Sequence, residues 1–176
     1  MKENLENLMS NKRHAKKYLA ETFGLDYKKP LLGIFLEKDL SAESKKNLGQ
    51  FLEACKSLEI EVVVLTGEDS KDNHSGAKTL PYSRKNRSLI LDAADIALAF
   101  KFNDVQEMLL HGTVPLSSKR EEVKDYNPNH ETGNAFLFKD ETAWAIFASL
   151  VRALETFKFP YDWKNIVRQG VESVQV

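Results

Sequence analysis

Short runs that are almost continuously apolar recur along this chain. They occupy 31–36 (LLGIFL), 60–65 (IEVVVL), 95–100 (DIALAF), 114–116 (VPL) and 135–138 (AFLF). Strands of this composition are typical of a parallel sheet that is covered by helices on both faces. A further short run at 78–81 (KTLP) ends in proline, which cannot donate a ladder hydrogen bond, so this run is predicted to be an edge strand.

Amphipathic segments separate the apolar runs, and their spacing is that of helices. The predicted helices span 1–24, 41–58, 83–93, 105–111, 141–157 and 162–171, and 66–76 is predicted to be a polar loop. Ser41 and Ser83 stand where two helices begin, a position at which serine caps free backbone N–H groups. Strands alternating with helices imply right-handed βαβ units. The sequence therefore predicts a Rossmann-like, doubly wound α/β fold with a mostly parallel sheet.

Both tryptophans fall on predicted helices. In the helix at 141–157, one face carries a set of apolar residues and is predicted to be buried: Trp144, Phe147, Ala148, Val151 and Leu154. Trp163 falls in the helix at 162–171. Tryptophans on helix faces serve more often as core or interface anchors than as platforms for a sugar ring, and we interpret both in that way.

Length, composition and charge fit one globular domain. The 176 residues are 42% hydrophobic and 29% charged, which allows one substantial core and is short for two. We predict an N-terminal helix and linker over 1–30 and a single Rossmann-like domain over 31–176. The net charge of -1 gives no electrostatic reason to expect nucleic acid or an acidic membrane as a partner. The basic run at 11–17 (NKRHAKK) is interpreted as a solvated helix face.

Cysteine and histidine usage argues against disulfide and metal sites. Cys55 is the single cysteine, so an internal disulfide is excluded and a reducing compartment, by default the cytoplasm, is expected. His111 and His130 do not stand at ligand spacing with Asp or Cys, and neither a metal nor a cofactor is expected. No apolar stretch approaches the length of a membrane span, so no membrane association is predicted.

Six stretches spread over the chain carry a resemblance to a known family. In order, they are NKRHAKKYLAETFGLDYKKPLLGIF (11–35), DAADIALAF (92–100), HGTVPL (111–116), DYNPNHETGNAFLF (125–138), LVRALETF (150–157) and DWKNIVRQG (162–170). Together they resemble the C-terminal half of bacterial starch and glycogen synthases, which are two-domain glycosyltransferases of the GT-B fold. In that family this half binds the nucleotide of the sugar donor, and the other half holds the acceptor glucan.

The resemblance implies three candidate nucleotide-sugar-binding residues, namely Gly33, Asp104 and Glu107. Glu107 stands five residues before Gly112, as does the second glutamate of the glycosyltransferase Glu-x7-Glu pattern. Simpler interpretations stand beside these. Glu107 fits a solvated or capping glutamate, and Gly33 fits a glycine that is packed inside a strand.

The sequence departs from the family pattern at three places around the implied donor site. Glu37 occupies the position of an arginine that neutralises the donor diphosphate, and the donor loop is reduced to 101–103. After Pro115, the segment 116–127 (LSSKREEVKDYN) replaces the family's Thr-Gly-Gly-Leu. A carboxylate repels a diphosphate, whereas catalysis requires stabilisation of the leaving charge. No catalytic residue is therefore assigned.

Two functions follow from the resemblance and these departures. In the first, the chain is catalytically inactive alone and acts as a binding or interaction module. In the second, it is an ADP- or UDP-glucose-binding subunit, completed by a separate acceptor-binding chain of the glycosyltransferase N-terminal type. Self-association or partner binding is expected through an aromatic patch made of Phe100, Phe102, Phe157, Phe159, Tyr161 and Trp163. Cover by the final helix within the monomer is the alternative.

Overall fold

The computed structural model of the protein describes residues 2–67 and 74–175. At its centre lies one parallel sheet of six strands in the order β3-β2-β1-β4-β5-β6. The strands are β1 (Leu31–Phe35), β2 (Glu61–Thr66), β3 (Lys78–Pro81), β4 (Ile96–Ala99), β5 (Val114–Ser117) and β6 (Phe136–Leu137). All five pairings are parallel. The predicted Rossmann-like α/β fold is therefore confirmed, and β3 lies at the edge as predicted. In the predicted loop at 66–76, residues 68–73 fall outside the described ranges.

The helices begin close to the predicted residues, and polar side chains cap α2, α3, α4 and α5. They are α1 (Lys2–Phe23), α2 (Ala42–Cys55), α3 (Arg84–Ala93), α4 (Val105–Leu110), α5 (Ala143–Phe157) and α6 (Pro160–Val174). Ser41 Oγ accepts a hydrogen bond from the Ser44 N–H, and Ser83 Oγ accepts one from the Asn86 N–H. Each cap satisfies a backbone donor that has no partner within its helix, so both predicted caps are confirmed.

Each face of the sheet carries its own hydrophobic cluster. Side chains of alternate strand residues point to opposite faces, so Leu32 and Ile34 contribute to one cluster while Leu31 and Phe35 contribute to the other. Helices α2, α5 and α6 cover the first face, and α1, α3 and α4 supply most of the cover on the second. Because both faces are buried, the strands have no polar face, which explains their almost continuous apolar sequence.

The prediction of the buried face of α5 is wrong, because the face that is buried is shifted by about one residue along the helix. Trp144 is 74% exposed, and the helix buries Ala143, Ile146, Ser149, Leu150 and Ala153 instead. Helix α5 is apolar on most of its circumference, so spacing alone supports two overlapping stripes. The stripe with more small residues packs against α2 and the sheet, where short side chains allow a close approach between helices.

The six predicted patch aromatics do not form one surface. Phe100 and Phe102 stack at the carboxyl end of β4, with ring centroids 5.7 Å apart. Phe157 and Trp163 contact each other at the opposite, amino edge, where they line a cleft together with Asp95, the residue before β4. We call this the amino-edge cleft. The prediction of one patch is wrong because α5 runs antiparallel to the strands and delivers its C-terminal end to the other edge.

The basic run at 11–17 is only partly solvated. Lys16 Nζ lies 2.7 Å from Asp95 Oδ2, and the Lys16 side chain is largely buried. Lys12 Nζ donates hydrogen bonds to Thr113 Oγ1 at 2.9 Å and to the Leu91 carbonyl at 3.2 Å. The interpretation as a solvated face is therefore wrong for these two lysines, which anchor α1 to the domain. Among the described residues, no helix is long and apolar enough to cross a membrane.

Candidate functional site

The carboxyl ends of β1 and β4 form the topological switch point of the sheet. The chain continues from β1 to β2 and β3 on one side, and from β4 to β5 and β6 on the other. In open α/β sheets, ligands bind in the crevice that this divergence leaves at the carboxyl edge. A ligand site is therefore expected at this edge. Glu37 follows β1 there, the segment 100–103 follows β4, and α4 begins there.

A cluster of three charged side chains occupies this crevice. Arg87, in the first turn of α3, donates from Nη1 to Glu107 Oε1 at 2.7 Å and from Nη2 to Glu107 Oε2 at 2.5 Å. Its Nε also donates to Glu37 Oε1. The guanidinium thus holds Glu107 in a two-pronged pair and ties it to Glu37. We call Glu37, Arg87 and Glu107 the carboxyl-edge triad.

The triad has an excess of negative charge. Hydrogen bonding from Arg87 holds the pKa of Glu107 below its ordinary value, although partial burial opposes this shift. Hydrogen bonds to Glu107 and Glu37 raise the pKa of Arg87. The carboxylates of Glu37 and Glu107 therefore share one guanidinium cation, that of Arg87. The Arg87 side chain is 24% exposed. Such a site repels phosphate groups, while its carboxylates still have oxygen lone pairs that can accept hydrogen bonds from hydroxyl groups.

The turn at 101–103, which follows β4, is held in place by hydrogen bonds from its own side chains and from Arg120. The buried Asn103 side chain accepts from the Phe100 N–H at 2.8 Å and donates to the Phe35 carbonyl at 3.2 Å. Arg120, from the segment after β5, donates to the Asn103 carbonyl at 2.9 Å and also to the Phe100 carbonyl. The arginine therefore covers the end of β4.

A cavity beside this turn is too small for a nucleotide. It is lined by residues of α2, β4 and α5, including Leu48, Ala99 and Ile146, and its volume is about 10 Å³. That space holds roughly one water molecule. In the described part of the chain, the cavity at the end of β4 therefore has no room for a nucleotide, and the triad lies beside it.

The three predicted binding residues have different positions. Glu107 lies in the crevice, within the triad. Asp104 caps α4, and its Oδ1 accepts from the N–H groups of Gln106 and Glu107 at 3.0 and 3.2 Å. Gly33 lies in the middle of β1 and faces α3, where an added Cβ would lie 3.0 Å from Ile90 Cγ2. The fold thus brings Glu107 and Glu37 together but keeps Gly33 away from the edge.

Arg87, Asn103 and Arg120 were not predicted from the sequence. None belongs to a motif, and the partners of Arg87 lie 50 and 20 residues away along the chain. One available signal was Glu37 itself, because a carboxylate at the end of a buried strand needs a cation nearby. Nothing in the sequence indicates which of the 25 lysines and arginines supplies that cation.

Other side chains with catalytic or metal-binding chemistry add nothing to this site. Burial raises the pKa of the Cys55 thiol to about 12, so Cys55 is not a thiolate nucleophile at neutral pH. In the ranges 2–67 and 74–175, no group of three or more His, Cys, Asp and Glu side chains is arranged to hold a metal ion.

Glycosyltransferases and domains of glycosyltransferases are among the solved structures with this architecture. No protein-family model and no curated protein matches the chain. The catalytic domain of starch synthase IV from Arabidopsis thaliana, bound to ADP and acarbose, aligns with a TM-score of 0.75 at 17% identity, over 91% of this chain and 38% of that chain. A glycosyltransferase from Rickettsia africae aligns with a TM-score of 0.70 at 9% identity, over 92% and 47%.

One of these structures is a single domain of matching extent. The C-terminal CMP-Kdo binding domain of WaaA from Acinetobacter baumannii aligns with a TM-score of 0.59 at 11% identity, over 96% of this chain and 100% of that domain. This chain therefore spans less than half of the two larger proteins and the whole of a C-terminal domain. Its fold is the Rossmann-like fold of the C-terminal domain of GT-B glycosyltransferases.

Proposed function

We propose that this chain is a starch/glycogen synthase-like domain that transfers no sugar by itself and acts as a binding or interaction module. The observation that carries the proposal is the carboxyl-edge triad. Where the resemblance implies a cation for the donor diphosphate, Glu37 supplies a carboxylate, and Arg87 is already bound to Glu37 and Glu107. A single cation shared by two carboxylates does not offset the charge of a diphosphate.

Loss of the diphosphate-binding cations has a large expected effect on catalysis. A donor that stabilises developing negative charge is commonly worth about 3 kcal/mol, or roughly a hundredfold in rate. Freeing Arg87 to meet a phosphate would leave Glu37 and Glu107 unpaired in a crevice where both are mostly buried. Separating such pairs costs free energy in proportion to their burial. Both effects favour a domain without transferase activity.

A transfer assay tests this proposal. The purified chain is incubated with glycogen and radiolabelled ADP-glucose or UDP-glucose, and incorporation is compared with a blank without protein. We expect no incorporation above the blank. Incorporation that persists in Glu155→Gln, a variant of an exposed glutamate on α5, and disappears in Glu107→Gln would refute the proposal.

Nucleotide-sugar binding without transfer is the second candidate, in which a separate acceptor-binding chain completes the enzyme. A domain of the same extent, that of WaaA, is described as binding CMP-Kdo, and this supports the candidate. Here the Glu107 carboxylate would accept hydrogen bonds from ribose hydroxyls. Calorimetric titration with ADP-glucose and UDP-glucose tests it. Saturable binding that is weakened in Glu107→Gln supports the candidate, and absence of heat with both donors excludes it.

An interaction role is supported by exposed aromatic side chains. Phe159 is 59% and Tyr161 73% exposed at the start of α6, beside the exposed Pro160. Adjacent exposed aromatics are common at protein–protein interfaces, where their burial stabilises association.

A cytoplasmic location belongs to the same proposal and is supported by the single cysteine, Cys55, which is buried and free.

A further inference from the structure

The amino-edge cleft lies on the side of the sheet opposite the carboxyl-edge triad. Its walls come from α1, the segment between α1 and β1, and the junction of α5 with α6, and its volume is about 590 Å³. Asp95 and Gly112, which stand just before β4 and β5, lie at its base. Sites for small organic ligands are typically clefts of roughly this size, about 300 to 1000 Å³.

Positive charge is concentrated in this cleft. The lining includes five lysine and arginine side chains, Lys12, Arg13, Lys16, Lys17 and Lys28, and one carboxylate, Asp95. The cleft therefore carries a formal charge of about +4 within a chain of net charge -1. Such a separation concentrates anions at the cleft by electrostatic attraction.

Most of these cations are not neutralised by carboxylates. Asp95 pairs with Lys16 and also accepts a hydrogen bond from the Leu31 N–H. Lys17 lies 3.8 Å from Glu21, at the limit of an ion pair. Within the described part of the chain, Arg13 and Lys28 have no carboxylate within 4.0 Å, and both are exposed. They are therefore free to bind an external anion.

Lys12 provides a buried cation at the base of the cleft. Two of its three ammonium donors bind Thr113 Oγ1 and the Leu91 carbonyl, both of which are neutral. Across the described residues, no carboxylate lies within ion-pair distance of its Nζ atom. Burial lowers the pKa of Lys12 to about 8, so the side chain is still largely protonated at neutral pH. A bound anion would supply the countercharge that this lysine lacks.

Aromatic rings form part of the walls. The Lys17 ammonium lies 5.9 Å from the ring centroid of Tyr27, and the Lys16 ammonium lies 5.6 Å from that of Phe157. Tyr27 is about half exposed, so part of its ring is accessible from the solvent. Cationic side chains that can bind a phosphate and a ring that can pack on a planar group thus line the same cleft.

We infer that the amino-edge cleft binds a small organic phosphate, with the phosphate on Arg13, Lys28 and Lys12 and a planar body against Tyr27. Arginine and lysine bind phosphate through charge-assisted hydrogen bonds, and aromatic faces pack on flat rings. The inference does not depend on the proposed function, because the two sites lie at opposite edges of the sheet. Adenosine 5′-monophosphate combines the two required groups and serves as the probe.

Calorimetric titration of the whole chain tests the inference. AMP, adenosine and a single-stranded decanucleotide are each titrated into the wild type, into Arg13→Ala/Lys28→Ala and into Lys45→Ala/Lys46→Ala. The control pair lies exposed on α2, away from the cleft, and removes the same charge. We expect one AMP per chain, at least tenfold weaker binding in Arg13→Ala/Lys28→Ala, unchanged binding in the control and no measurable binding of adenosine.

Four results would overturn the inference. The first two are the absence of saturable AMP binding and an AMP affinity that is equal in the wild type and in Arg13→Ala/Lys28→Ala. The third is an equal affinity of the wild type for adenosine and AMP. The fourth is binding of the single-stranded decanucleotide a hundredfold tighter than that of AMP. The last result would identify the cleft as a nucleic-acid groove. Thermal unfolding of both double variants verifies the fold, which exposed substitutions are expected to preserve.

Discussion

Replacing Lys12 by methionine should flatten the dependence of stability on alkaline pH. The Lys12 ammonium is buried at the base of the amino-edge cleft, where desolvation lowers its pKa to about 8 despite the attraction of Asp95 and Asp92. Methionine keeps much of the aliphatic side chain and removes the charge. Thr113 still donates to the Leu91 carbonyl at 2.9 Å, so the substitution leaves neither group without a partner.

The magnitude follows from the two pKa values of Lys12, which are 10.5 for an ordinary lysine and about 8 in the folded protein. Below pH 8 both states hold the proton, and the folded state carries the cost of a buried charge. Between pH 8 and 10.5 the folded state releases its proton first, so unfolding takes up a proton and the free energy of unfolding rises with pH. From pH 7 to 10 this contributes about 2.5 kcal/mol, which the variant lacks.

Urea unfolding of the wild type and Lys12→Met at pH 7, 8, 9 and 10 measures this contribution. Subtracting the two free energies of unfolding at each pH removes the effect of every other titrating group that the substitution does not touch. Lys46→Met, at an exposed position on α2, is the control and should show a change below about 0.5 kcal/mol. A difference between wild type and Lys12→Met that stays flat from pH 7 to 10 would contradict the burial of the charge.

Three further predictions concern the site, the core and the surface. Arg87→Met should lower the free energy of unfolding by about 1 to 3 kcal/mol at pH 7, between the values for exposed and buried pairs. Because Arg87 lowers the pKa of Glu107 from 4.5, denaturation at falling pH should show this loss shrinking below pH 4.5. Gly33→Ala should cost about 1 to 3 kcal/mol in urea unfolding by crowding Ile90, whereas Gly49→Ala, in an open helical position, should gain about 0.5 to 1 kcal/mol. Sedimentation velocity at micromolar concentration should show self-association that Tyr161→Ser weakens, and a monomer at all concentrations would contradict it.

The strands and helices could be predicted from the sequence because their causes are local. Buried parallel strands such as β1 and β2 are almost continuously apolar, and Ser41 and Ser83 mark helix starts through hydrogen bonds to residues three positions on. The position of KTLP at the edge also followed from one local fact, the missing N–H of Pro81. The spacing of apolar residues and the capping of a helix end each depend on residues that lie only a few positions apart. Both can therefore be recognised in a single sequence.

Only the tertiary structure decided which residues meet. The buried face of α5 depends on the shape of α2, the charge of the crevice depends on Arg87 reaching Glu37 across 50 residues, and Lys12 meets Thr113 across 101. These contacts join elements whose relative positions arise from packing the whole sheet. The sequence by itself thus determined the fold class and placed a carboxylate, Glu37, just after the first buried strand. The tertiary structure decided that a triad with an excess of negative charge occupies the carboxyl edge and that a cluster of positive charge lies at the amino edge, because charge and shape complementarity exist only between surfaces already placed side by side.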